Sequence, residues 1–255
     1  MTTGYRLSLP DVDVLAQTLS VNVRQFPFEI PSFGEFEVDR QRIAREVFTD
    51  LGRRGLIRGS EIDPGLTRAL KVLSDNVITV AVMGTVAKTR QVYARAATDG
   101  ETGVLAVKEG ASFRLELIRP TALAVSLVGL LPVASAGPGQ SVTVTRPGAA
   151  GPSESLFSPV RAGGGNEAQL RIAASYLSRP RTGTGYFTVS ARDRRMGRTL
   201  QGGHLTWIDT DEGRYLMLAR PPGEDGQVRS TFSPADSARL AQSLGEMIES
   251  VAPRR

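Results

Sequence analysis

Apolar residues along this chain recur with two periods, and the period changes twice. The first stretch has helical spacing. Val12, Leu15 and Leu19 mark a helix over 10–20. Ile43, Val47, Phe48 and Leu51 form one stripe of a second helix over 39–54, with charges on its other face and Gly55 as a stop. Leu66, Leu70 and Leu73 line a third, which Asp63 caps and Pro64 opens. Between the first two, Phe26-Pro27-Phe28-Glu29-Ile30-Pro31 must be extended, because each proline excludes helical geometry from the residue before it.

From Asn76 the period is two, which predicts strands over 77–83, 91–98, 104–108 and 112–118. Asp99-Gly100 and Glu109-Gly110 supply turns. A mostly apolar helix over 121–131 and a strand over 141–145 follow. The order then repeats. Asn166 caps a helix to about 178, with Leu170, Ala173, Ala174 and Leu177 facing inward. A strand meander follows, in which Asp211-Glu212-Gly213 joins the runs holding Trp207 and Tyr215. Ser233 as N-cap and Pro234 at the first position start a final helix, with Leu240, Leu244, Met247 and Ile248 on one side.

This order predicts an α+β fold with a central antiparallel β-sheet and flanking helices. Two helix–four-strand–helix halves would be related by a pseudo-twofold. The expectation is one domain over 1–255, with a first half over 1–145, a Pro/Gly/Ala/Ser-rich linker over 146–165 and a second half over 166–255. Separate sheets in two domains are the alternative.

Composition narrows the class. The chain has 255 residues and no cysteine, so it has neither a disulfide nor a thiolate metal site. The first ten residues lack the layout of a signal peptide, and the apolar run over 121–133 is too short to span a bilayer. The expectation is a cytoplasmic protein without stable membrane insertion. The net charge is +5, with basic clusters over 40–58 and 192–198. The first is interleaved with acids on a helix and the second fills a hairpin loop. Neither carries aromatics at base spacing, so no nucleic-acid partner is expected.

Candidate chemistry is sparse. His204 is the single histidine, and no Gly-x-Ser-x-Gly elbow accompanies it. Asp209-Thr210-Asp211-Glu212-Gly213 begins like a calcium loop but has Gly213 at the third ligand position and Arg214 where the glycine belongs. The glycine clusters at 137–139, 163–165 and 183–185 match no phosphate-binding pattern. Trp207 reads as a packing residue, with a binding platform as the other reading. The residues therefore point to a binding protein, with no catalytic residue, cofactor or metal assigned.

Several dispersed segments resemble the EspG family of cytoplasmic chaperones that serve type VII secretion in actinobacteria. They are Phe26 to Gly34, the helix end at Leu51-Gly52-Arg53-Arg54-Gly55-Leu56, and the mid-chain run ending Leu130-Leu131-Pro132. Pro180 to Phe187, Trp207 to Leu216 and Ser233-Pro234-Ala235-Asp236 are the most specific. The resemblance implies a pseudo-symmetric fold, no catalysis, and binding of a PE–PPE heterodimer whose PPE hydrophobic tip is shielded. It leaves homodimerisation open. It implies a contact surface made of a sheet face or loop together with the C-terminal bundle. By position, the candidates are Leu170, Ala174 and Leu177, Leu240 and Leu244, and Thr85 with Val86 in a loop after the first strand. The alternatives are a basic nucleic-acid-binding or regulatory protein, whose binding would fall steeply with salt, and an enzyme with a polar pocket near His204.

Overall fold

The computed structural model describes residues 4–147, 167–193, 197–219 and 226–252. The expected linker over 146–165, the Asn166 cap and part of the basic hairpin loop lie outside these residues, except that 146 and 147 end a strand.

The first element is a strand the apolar pattern does not announce. β1 (Gly4–Ser8) turns Tyr5 and Leu7 inward and runs directly into α1 (Leu9–Thr18). Ser8 makes the junction: its hydroxyl accepts from the Asp11 amide at 3.2 Å, and the Asp11 carboxylate accepts from the Ser8 amide at 2.8 Å. α2 (Glu37–Arg53) ends before Gly55, whose φ of +71° suits glycine. A short hairpin, β2 (Ile57–Arg58) with β3 (Glu61–Ile62), leads to α3 (Pro64–Ser74). As expected, Asp63 caps α3, accepting from the Leu66 amide at 2.9 Å, and it also accepts from the Tyr5 hydroxyl at 2.7 Å.

The meander β4 (Ile78–Val86), β5 (Arg90–Thr98), β6 (Gly103–Glu109) and β7 (Ser112–Ile118) follows. A 3-10 turn at Pro120–Ala122 opens α4 (Leu123–Val128), which Gly129 ends earlier than the apolar run suggests. The second half comprises β8 (Val142–Pro147), α5 (Glu167–Leu177), β9 (Arg181–Asp193), β10 (Arg198–Thr210), β11 (Gly213–Ala219), β12 (Gln227–Pro234) and α6 (Ser237–Val251).

Among the described residues, ten strands form one antiparallel sheet in the order β1-β7-β6-β5-β4-β9-β10-β11-β12-β8. The order is symmetric about the β4–β9 pair, and a single sheet replaces the two-sheet alternative. β8 corrects the expected division of the chain. It lies beside β12 at the far edge, in the place β1 takes beside β7. Each half therefore reads strand, helix or helices, four strands, helix.

Three local expectations fail for identifiable reasons. Ser233 and Pro234 end β12, pairing with Leu216 and Tyr215, and Asp236 is the N-cap of α6, accepting from the Arg239 amide at 2.7 Å. Thr85 and Val86 are not in a loop; they continue β4 opposite Gln91 and Arg90. Ala174 is exposed, because α5 turns Ala173 and Tyr176 to the sheet instead.

Alternation along the strands gives the sheet two different faces. On the closed face, Val80, Val82, Phe187, Val189, Leu205 and Trp207 pack against α4 and α6, which contribute Leu123, Leu127, Leu240, Leu244 and Met247. Trp207 settles as core: it is fully buried, and its ring lies over the cross-strand pair Gly84–Gly185. A Cβ on Gly185 would sit 2.1 Å from Trp207 Cη2, so the close approach requires glycine there. On the opposite face, α1, α2 and α3 cover the first-half flank around Phe113 and Leu115. α5 covers the second-half flank around Tyr215, Met217 and Phe232.

Candidate docking surface

Between these two helix-covered flanks the sheet is bare at its centre. The side chains that β4, β5, β9 and β10 turn to this open face include Met83, Thr85, Tyr93, Tyr186, His204 and Thr206. They line a trough of about 620 Å³. Register explains the row: Tyr93 pairs with Met83, Met83 with Tyr186, and Tyr186 with Thr206. The floor is aromatic and aliphatic, with polar groups at its sides. The Tyr186 ring lies 6.5 Å from His204, edge to face, and Lys108 Nζ lies 5.8 Å from the Tyr93 ring centroid.

A loop from the first helix layer forms the lip. The Phe26 ring stacks on Tyr186 at 6.3 Å and remains 47% exposed. The Phe26–Pro27 peptide bond is cis. A buried carboxylate clasps this loop to the helices. Asp13 on α1 accepts from the Phe33 amide at 3.0 Å, from Arg24 at 2.5 Å and from Arg40 on α2. Burial alone would raise the Asp13 pKa. The Phe33 amide and the two guanidiniums outweigh it and hold the carboxyl below its usual range. Arg24 Nε also donates to the Ile30 carbonyl at 2.9 Å.

Beneath the lip lies Arg95, 8% exposed and next to Tyr93 on the same face of β5. Its Nη1 donates to the Phe26 carbonyl at 2.8 Å, while its Nε is buried without a partner. Burial pushes its pKa down to about 10.

The residues singled out from sequence do not converge on one surface. Val86, Leu240 and Leu244 have no exposed area and belong to the closed-face core. Thr85 does reach the trough, where its hydroxyl lies 3.2 Å from Gln91 Oε1. Leu170, Ala174 and Leu177 share one side of α5; Leu170 and Leu177 are half-buried against the second-half flank, and Ala174 is exposed. Sequence reasoning missed Met83, Tyr93, Tyr186 and Arg95. Their alternation could have placed them on one face, but only strand order brings their three strands together.

The Asp209–Arg214 segment is structural. Arg214 is fully buried and grips Asp209 through two bonds of 2.6 and 3.0 Å, and its Nη2 also donates to the Pro132 carbonyl at 2.9 Å. The Asp209 carboxylate is thus neutralised by a guanidinium within the chain. On α2 and at its C-cap, Arg40, Arg42, Arg53 and Arg54 are each paired with a carboxylate, so most of the charge of this basic run is neutralised locally. Among the described residues no helix is long and apolar enough to cross a membrane.

The sequence pattern of the EspG family matches residues 8–246. The chain belongs to the EspG family. No curated protein matches it in sequence. Among solved structures, this EspG-family fold is similar to the Mycobacterium tuberculosis type VII secretion system chaperone EspG5, solved in complex with a PE25–PPE41 dimer. The TM-score is 0.71 at 13% identity, and the match covers 98% of this chain and 97% of that one. At that identity the likeness concerns the fold, which accords with the expected pseudo-symmetric sheet.

Proposed function

We propose that this protein is a non-enzymatic cytoplasmic chaperone of a type VII secretion system. It binds a PE–PPE heterodimer, shields the hydrophobic tip of the PPE protein, and delivers the pair to the secretion machine. The observation that carries the reading is the family match over residues 8–246. The bare sheet face supports it. A client tip that exposes apolar side chains is an aggregation hazard in water, and an aromatic trough with a polar margin offers them cover. Interfaces of standard size bury about 800 Å² per partner. Eleven described residues line the trough, against about 20–30 a side in such an interface, so we place its margins on the Phe26 lip and on the outer side of α5 around Ala174.

The test is co-purification from the native host with mass spectrometry and size exclusion. The expected result is a PE–PPE pair in near-equal amounts, eluting with the chaperone as one species. Tyr186→Arg, which places a charge in the trough floor, is expected to lose the pair while its circular dichroism stays native. Recovery of nucleic acid or of no partner, in a host making its PE–PPE proteins, overturns the reading. A Tyr186→Arg protein that still holds the pair overturns the trough as the seat.

A further inference from the structure

Residues 19–36, between α1 and α2, form no helix or strand. Connections of that length are uncommon inside a compact domain and usually carry function. α1, α2 and α3 all hold this one. The Asn22 amide donates to Ser74 Oγ at 2.8 Å, and Gln25 Nε2 donates to the Ser74 carbonyl at 3.0 Å. The Asp13 clasp takes Arg24 and the Phe33 amide, and Arg40 Nη1 donates to the Phe33 carbonyl at 3.0 Å. Val23, Phe28 and Ile30 are buried, with the Phe28 ring edge-on to Phe113 at 4.9 Å.

Phe26 is the exception in this segment. It stands in a turn closed by the Phe28 amide on the Gln25 carbonyl at 2.9 Å, and its ring leaves the first-half core to lie on Tyr186. A single exposed ring needs no explanation by itself. The residue behind it does. The Arg95 side chain is buried between strand neighbours Ala81 and Ala106 and forms no ion pair among the described residues. A buried guanidinium without a carboxylate loses hydration and regains little. Its one hydrogen bond goes to the Phe26 carbonyl. Three buried side chains and the Asp13 clasp already keep the loop in place, so what Arg95 adds is the direction of the one peptide that carries the exposed ring.

The result is a fixed aromatic step at the trough margin. The Phe26 and Tyr186 planes lie 19° apart in an offset stack, and both rings keep exposed area. An aliphatic or aromatic side chain fills such a step, whereas a charged one would lose water there without gaining a partner. A wall ordered before docking spares the complex the entropy of ordering it.

We propose that Phe26 is a specificity-determining residue of the docking surface and that Arg95 is its positioning residue. With Tyr186 they present a preformed step that receives an apolar side chain of the client. The proposal rests on the chaperone reading.

The test is a double-mutant cycle on binding of the purified PE–PPE pair, with F26A, R95M and the double variant. F26A is expected to weaken binding about 30-fold, as loss of an aromatic anchor does. R95M, which leaves the ring free to move, is expected to weaken it about tenfold. The double variant should bind as F26A does, because Arg95 acts only through Phe26. An additive loss, about 300-fold in the double variant, overturns the positioning role. F26A that holds the pair as tightly as wild type removes the proposal and leaves the chaperone reading standing. Wild type that holds no pair removes the chaperone reading and this contact with it. Proton NMR of the free protein gives an independent measure. The Phe26–Tyr186 ring cross-peak should be present in wild type and lost in R95M, while the Phe28–Phe113 cross-peak survives in both. If both cross-peaks vanish in R95M, Arg95 holds the whole loop and the proposal falls; if both persist, Arg95 positions nothing and it falls equally.

Discussion

The two faces of the sheet are built from the same strands and put to opposite uses. On β4, Val80 and Val82 point to the closed face and Met83 to the open one; on β9, Phe187 and Val189 oppose Tyr186. The closed face is covered by α4 and α6 and excludes water from a continuous apolar core. The open face is covered only on its flanks, which leaves aromatic, aliphatic and cationic groups together in a half-wet trough. Stability resides where the residues are uniformly apolar. Recognition resides where the alternation delivers mixed chemistry. An apolar helix stripe such as Leu240, Leu244 and Met247 is therefore evidence of core, and the mixed positions across the strands deserve the search for a partner.

Perturbation of each face should break this division in order of size. Leu244→Arg forces a charge into the closed face, where Leu244 has no exposed area, and is expected to abolish folding by circular dichroism. A folded Leu244→Arg protein would show that α6 can lift from the sheet. Asp209→Ala leaves Arg214 buried and uncompensated beside that core, at an expected cost of about 3–5 kcal/mol in denaturant unfolding.

The rim of the open face should respond to acid instead. The Asp13 carboxyl is depressed in the folded state, so its stabilising contribution is complete above the ordinary aspartate pKa of about 4 and is lost as pH falls through the lower folded value. Asp13→Asn should remove that part of the acid limb in a pH–stability profile; an unchanged limb would mean that the clasp contributes nothing. The smallest effect belongs to the trough floor. Tyr186→Arg gives up the ring contacts to Phe26 and His204 and is expected to lower unfolding free energy by only about 1 kcal/mol, even though it should cost the partner.

Most of the architecture is legible in the sequence because it rests on local periodicity. The meander strands, the Asp63–Pro64 helix start and the Asp211–Glu212 turn each carry their own signal. β1 escaped because two inward residues, Tyr5 and Leu7, make a pattern too short to stand out before α1 begins. Ser233-Pro234 misled because proline suits a strand end as well as a helix start, and the cap proved to be Asp236. The docking surface was mostly illegible. Tyr93, Tyr186 and His204 are far apart in the chain, and only the symmetric strand order makes them neighbours. Alternation puts Arg95 on the face of Tyr93 but does not reveal its burial, since an arginine within a strand reads as an outward, solvated residue until the Phe26 loop is known to cover it.

The packing of Trp207 across Gly84 and Gly185 has an optical consequence. The chain's one indole sits on the seam where its two halves join, sealed from water and with its Nε1 unpartnered. Its emission therefore belongs to that seam and to no other region. Blue-shifted while β4 and β9 remain paired, and red-shifted once they part, it gives the protein an intrinsic fluorescent gauge of whether its halves are joined, with no label attached.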